Sequence, residues 1–229
     1  MNPNRSLPGG LVRVVISRFV LAVILLMAAF FLPAGTFAYW QAWVYLAILF
    51  LPMFLVMVYL LQRDPGLLER RMRTRERETQ QNLIIKLSFI PFLAAFLLPG
   101  FDQRFGWSIV PGGLVILGGA LVLAGYGIVF LVFRENRYAS RVVEVEQEQQ
   151  VIDSGPYALV RHPMYLGTLL MFVFSPLALG SYWAMLPALL IVPVLVARIR
   201  NEESLLARDL PGYAEYMQKT PYRLVPGLW

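Results

Sequence analysis

Five apolar runs dominate this chain, and their lengths leave few folds open. A helix needs about 20 apolar residues to cross the hydrocarbon core of a bilayer, with a usable range of roughly 17–25. The first run extends from Val12 to Pro33 and the second from Phe37 to Leu61. The third, Leu83 to Pro99, is short and carries Lys86 near its start, where a lysine can snorkel. Trp107 to Phe133 forms the fourth. From Met164 to Ala197 the chain is apolar again, too long for one span, and Gly180-Ser181 between Pro176 and Pro187 signals a turn near its middle. Two short helices in a tight hairpin are expected there. The expected fold is an all-α integral membrane protein of about six transmembrane helices.

The basic residues test that reading independently. Arg5, Arg13 and Arg18 flank the first run, and the link to the second has no charge. The next link, Gln62 to Asn82, holds Arg63, Arg70, Arg71, Arg73, Arg75 and Arg77, whereas the third holds only Arg104. Arg134, Arg137, Arg141 and Arg161 fill the fourth, the Gly180-Ser181 turn has none, and the tail carries Arg198, Arg200, Arg208, Lys219 and Arg223. This alternation is what the positive-inside rule requires of six spans with both termini cytoplasmic. Tyr39, Trp40, Trp43, Trp107, Tyr182 and Trp183 fall on the charge-poor side, as interfacial aromatics should. Retaining the first run as a helix, not a cleaved signal peptide, is what makes the alternation work.

Composition agrees. Apolar residues make up 58% and charged residues 15%, against about 45–50% and 25% in soluble domains. The net charge of +6 does not argue for nucleic acid, because the arginines sit in short belts between apolar runs. With no cysteine and one histidine, disulfides, thiolate metal sites and a Cys nucleophile are excluded, and no metal is expected. The chain reads as one membrane domain over 1–229.

Two charge-rich segments differ in kind. Gln62 to Asn82 reads as an interfacial helix whose arginines face anionic headgroups, or else as a lid or a docking surface for an acidic partner. Arg134 to Tyr165 holds most of the polar variety, including Asn136, Tyr138, Glu144, Gln149, Gln150, Asp153, Tyr157, Arg161 and His162. Pro163 disfavours α conformation for His162 and suits the first helical position. A helix therefore starts at the membrane surface with open N–H groups, a place that attracts a carboxylate or phosphate. His162 is either a simple cap there or part of a site. Past the hairpin, Arg198 and Glu202 share a helix face, and Arg200 and Glu203 stand three apart. Glu202 is expected on the same surface as His162, with room between them for a cationic ligand group. The glycines from Gly112 to Gly127 lack the spacing of a nucleotide loop; they suggest close helix packing, with Ala120 and Ala124 as a small-residue pair. Gly125-Tyr126-Gly127 also leaves room for a ligand to approach the backbone.

G-P-Y-A-L-V-R-H-P-M-Y-L-G from Gly155 to Gly167, N-E-E-S-L-L from Asn201 and P-G-Y-A-E-Y from Pro211 to Tyr216 resemble the isoprenylcysteine carboxyl methyltransferase family, which overlaps in pattern with the membrane phospholipid methyltransferases. The likeness covers roughly the last 100 residues. It implies a membrane enzyme that transfers methyl from S-adenosylmethionine, with residues 1–106 as N-terminal spans and basic cytoplasmic helix and 107–229 as a methyltransferase-like core. Carried over by position, the cofactor side comprises Gln149, Gln150, Val151, Ile152, Tyr157, His162, Pro163, Met164, Tyr165 and Glu202. The glutamines depart from the family's more familiar text. Arg198 matches a substrate position, and Arg198 and Glu202 are the implied catalytic pair.

Such an active site faces the cytoplasm, and its acceptor is a lipophilic small molecule or lipidated group arriving from the bilayer among membrane lipids. An arginine suits an acceptor carboxylate, which it binds bidentately. Methylation of an ionised carboxylate needs no strong base, only alignment and exclusion of water. An amine-lipid N-methyltransferase and a non-catalytic scaffold of the same fold are the alternatives.

Overall fold

The structure is a computed structural model that describes residues 9–72, 79–139 and 149–229. Apolar runs become helices wherever backbone groups must be satisfied internally. In chain order these are α1 (Gly9–Ala34), α2 (Trp40–Arg63), α3 (Pro65–Met72), α4 (Thr79–Phe105), α5 (Gly112–Glu135), α6 (Pro163–Ala178), α7 (Met185–Leu189), α8 (Ile191–Asp209) and α9 (Tyr213–Lys219), with a 3₁₀ turn at Gly155–Ala158. No strand occurs among the described residues.

Among the described residues, three helices are long and apolar enough to cross a membrane: Gly10–Ala34, Trp40–Arg63 and Gly112–Glu135. Their outward side chains, among them Leu21, Ile24, Leu51, Leu55 and Ile116, are exposed, as a lipid-facing surface requires. The third expected run lies within α4, which passes through Pro91 and Pro99 and ends at Phe105. The hairpin is where the turn signal placed it. Gly180, at φ +76°, reverses the chain after the 16-residue α6, and the return limb is broken into α7 and α8.

The basic segment departs from the single interfacial helix expected over 62–82. Pro65 has no N–H and drives Asp64 out of helical geometry (φ −147°, ψ 75°), which ends α2. The same proline opens α3, and Asp64 Oδ1 caps it by accepting the Leu67 N–H at 2.9 Å. Leu67 and Leu68 are buried against Leu60, Val15 and Val132. So α3 packs into the body instead of lying free on the headgroups. Arg73, Arg75 and Arg77 lie outside the described residues, as do Arg5, Arg141 and Glu144.

Helices α5 and α6 pack most closely, through glycines. A Cβ on Gly125 would fall 2.6 Å from Gly167 O, one on Gly167 2.7 Å from Gly125 O, and one on Gly118 2.7 Å from Ala178 N. Small-residue packing was the right expectation, but on another face. Ala120 and Ala124 are exposed, and Gly118 and Gly125, two turns apart, make the seam. The backbone at Gly125 is thus filled by α6, which closes it to a ligand.

A second joint lies at the opposite end from the polar loop. Asp102, 1% exposed, accepts the Ser108 N–H and hydroxyl, both at 2.6 Å, and the Ser181 hydroxyl at 2.5 Å. It ties the end of α4 to the hairpin turn. Tyr39 is likewise fully buried, donating to Leu179 O at 2.5 Å. It belongs to the core with Phe30, Tyr45 and Phe96, and is not an interfacial aromatic like the exposed Trp40, Trp43, Trp107, Tyr182 and Trp183.

Candidate functional site

One cavity gathers the chemistry. Gln149, Gln150, Val151, Ile152 and Tyr157 line it from the loop after α5, His162, Pro163, Met164 and Tyr165 from the start of α6, and Arg198 and Glu202 from α8. Every site residue expected from the sequence is on its wall. Asn136, Tyr138, Ala139, Arg161, Leu206, Leu210, Tyr213 and Tyr216 complete it. None of these eight belongs to the expected set: Asn136, Tyr138 and Arg161 were noted only as polar residues of their segment, and the tyrosines of P-G-Y-A-E-Y, three apart on one helix face, were a signal for Tyr213 and Tyr216.

Two loop fastenings shape the wall. Ser154 donates to Glu135, and the positive φ of Gly155 (+56°) folds the loop back against that side chain. Asn136 Nδ2 then donates to the Tyr157 hydroxyl at 2.9 Å, and the Tyr216 hydroxyl to Tyr157 O at 2.8 Å. Burial, with the Glu202 charge adding to it, pushes the Tyr157 phenol up to about 12 against opposing effects of Asn136 and Arg71. It stays protonated at neutral pH.

The start of α6 is anchored from behind by the C-terminal tail. Arg161 N–H donates to Tyr222 O and His162 N–H to Arg223 O, each at 2.9 Å. Arg161 Nη1 reaches Thr220 O at 2.7 Å. The first intrahelical bond runs from Leu166 N–H to His162 O, and Pro163 has no N–H. Met164 and Tyr165 therefore carry the open backbone donors of this helix end. His162 does not cap the helix with its ring.

The two glutamates divide their work differently from what spacing suggested. Glu203 is buried (4% exposed) and takes Arg161 Nε at 2.7 Å, Arg223 Nε at 2.7 Å and His162 Nε2 at 3.2 Å. Arg200, its expected helix neighbour, is exposed. Glu202 Oε2 accepts the Tyr165 hydroxyl at 2.5 Å, and Arg198 Nε donates to that same hydroxyl at 2.8 Å. Arg198 and Glu202 do share a face, and a phenol from α6 is inserted between them. The space foreseen between Glu202 and His162 is thus reorganised: the ring faces Glu203.

The fold and cavity define a helical membrane protein with a polar pocket at the end of its α5–α6 pair. Residues 114–211 match the family model described as phospholipid methyltransferase. That segment runs from α5 past the end of α8 and contains all the expected site residues, so the membrane methyltransferase resemblance holds there. The chain is also similar to the cobalt-zinc-cadmium resistance protein CzcN of Cupriavidus metallidurans, 30% identical over 142 residues. This covers 58% of the chain, which spans 58% of the length of that relative.

Proposed function

We propose that the chain is a multi-pass membrane methyltransferase that uses S-adenosylmethionine and methylates a lipophilic acceptor at a carboxylate. The observation that carries this is the Arg198–Tyr165–Glu202 series on the wall of one cavity. The guanidinium there suits an acceptor carboxylate, which it would hold as a planar fork. Both termini and the cavity face the cytoplasm in this reading, and the acceptor arrives from the bilayer.

The residues present suit the cofactor by their donor set. Glu202 offsets a positive group, the N–H groups of Met164 and Tyr165 suit a carboxylate, and the Tyr157 and Tyr165 rings tolerate a cation. Val151, Ile152, Leu206 and Leu210 offer an apolar wall for a nucleoside. When bound, the cofactor supplies a methyl group on a sulfonium. Methylation of an acceptor carboxylate would give an ester and a neutral thioether with no proton to remove, so no base would be required of the chain. The protein's part is therefore to orient the oxygen through Arg198, hold Arg198 through Tyr165, and exclude water.

N-methylation of an amine lipid is the second reading, favoured by the phospholipid methyltransferase match. Incubating the purified chain with methyl-labelled cofactor and a total membrane lipid extract separates the two. A carboxyl ester releases labelled methanol in alkali, and an N-methyl group does not. A chain that binds neither S-adenosylmethionine nor S-adenosylhomocysteine, and labels nothing, is a scaffold. A reporter fused after Trp229 that is active outside the cytoplasm overturns the orientation.

A further inference from the structure

The hydroxyl of Tyr213 is buried and meets no hydrogen-bond partner among the described residues, although Tyr213 belongs to the cavity wall. The residue is 4% exposed. Leaving a buried phenol unpaired is costly, so native interiors rarely do it without a reason. Burial, then the charges of Glu203 and Glu202, keep this phenol protonated. It is therefore a donor that needs an acceptor.

Helix α8 gives the cavity a direction. Arg198, Glu202 and Leu206 follow one another at intervals of four along it, advancing about 6 Å per step, and Leu210 closes its end with its N–H on Leu206 O. One end is charged, with Arg198 and the Tyr165 hydroxyl. The other end is apolar and aromatic, with Tyr213 packed among Leu210, Tyr216, Val151 and Leu206. A ligand that is ionic at its reactive end and flat at the other fits only one way round.

We infer that the Leu206–Leu210–Tyr213 end of the cavity holds the heterocycle of the nucleoside cofactor, with the Tyr213 hydroxyl donating a hydrogen bond to one of its ring nitrogens. This deepens the methyltransferase reading and rests on it. It also makes Tyr213, which lies beyond the matched segment 114–211, a specificity residue of the site.

The test turns on two effects of opposite sign. Tyr213→Phe removes a hydroxyl that has no partner among the described residues, so the apo Tm stays level or rises. The same change should weaken S-adenosylhomocysteine binding about tenfold, the scale of one hydrogen bond. Tyr216→Phe provides the contrast, because it removes a bond that is made, to Tyr157 O, and lowers the apo Tm. Calorimetry on the full chain in detergent, with the 1-, 3- and 7-deaza analogues of S-adenosylhomocysteine, identifies the acceptor. One analogue should bind the wild type about tenfold weaker and lose nothing more in Tyr213→Phe. Unchanged affinity in the variant, or a loss of Tm in step with affinity, overturns the assignment. So does equal binding of all three analogues relative to the parent. A wild-type chain that binds none of these ligands overturns the methyltransferase reading as well, a result distinct from the others.

Discussion

His162 faces Glu203, with Nε2 3.2 Å from Oε1, and both side chains are buried. The contact fixes the roles of the adjacent glutamates. Glu203 pairs with Arg161, Arg223 and the His162 ring, while Glu202 is left to Tyr165 and the cavity. Paired guanidiniums make the burial of Glu203 tolerable, and removing one partner leaves charge uncompensated.

Acid should expose this cluster. Burial pushes the Glu203 carboxyl up, but hydrogen bonds from His162, Arg161 and Arg223 outweigh it and hold the group at about 2. A depressed carboxyl contributes stability above its ordinary value of about 4.3, lost as pH falls through the folded value. The wild-type Tm in detergent should therefore drop between about pH 5 and 2. Glu203→Gln should be less stable at pH 7 and should show less of that drop. Parallel profiles for the two proteins would disprove the role.

The tail should matter to the start of α6. Arg223→Ala removes a charged bond to Glu203 and should cost about 1.5–3 kcal/mol, whereas Arg161→Ala, with both partners buried, should cost about 3–5 kcal/mol. Denaturant titration measures both. His162→Ala should lower stability as well as cofactor affinity, because the ring is buried and paired. An exposed, freely rotating His162 would have left stability untouched.

Much of the fold was legible because run length, proline and glycine act locally. The Gly180 turn, the Pro163 helix start and the gathering of one loop, one helix start and one helix end all follow from such signals. What was illegible depends on rotation about helix axes. Neighbours on a helix point about 100° apart, so whether Glu202 or Glu203 meets His162 depends on how α8 is turned. Tail residues about 60 positions from His162, Tyr222 and Arg223, take part in that choice. The same freedom put Gly118 and Gly125, and not Ala120 and Ala124, at the seam. The Asp102–Ser181 joint spans 79 residues, beyond any local pattern. Tyr213 was written in a quoted motif, but only packing shows that its hydroxyl has no partner among the described residues.

Gly125→Ala should act at a distance through that seam. The added Cβ would meet Gly167 O at 2.6 Å, a contact that forces the helices apart. Overpacking of this kind costs about 1–3 kcal/mol. Because Gly167 lies within about one turn of Pro163 and Tyr165, cofactor affinity should fall together with Tm. Ala124→Leu, on the exposed face, should change neither. A tolerated Gly125→Ala would mean that α5 and α6 do not pack as described.

The acceptor class can be read through Arg198. If it holds an acceptor carboxylate, Arg198→Gln should raise the acceptor KM or lower kcat/KM with cofactor affinity nearly intact, because what is lost is positioning of the nucleophile. Tyr165 stands between Arg198 and Glu202, so it couples these two side chains. Tyr165→Phe removes the intermediary and should reproduce part of the Arg198→Gln defect while also weakening the cofactor. A double-mutant cycle of Arg198→Gln with Glu202→Gln measures the coupling that runs through the phenol. It should be substantial with Tyr165 present and shrink in the Tyr165→Phe background. If Arg198→Gln leaves turnover unchanged, or speeds methylation of an amine lipid, the carboxylate is the wrong acceptor and N-methylation takes its place.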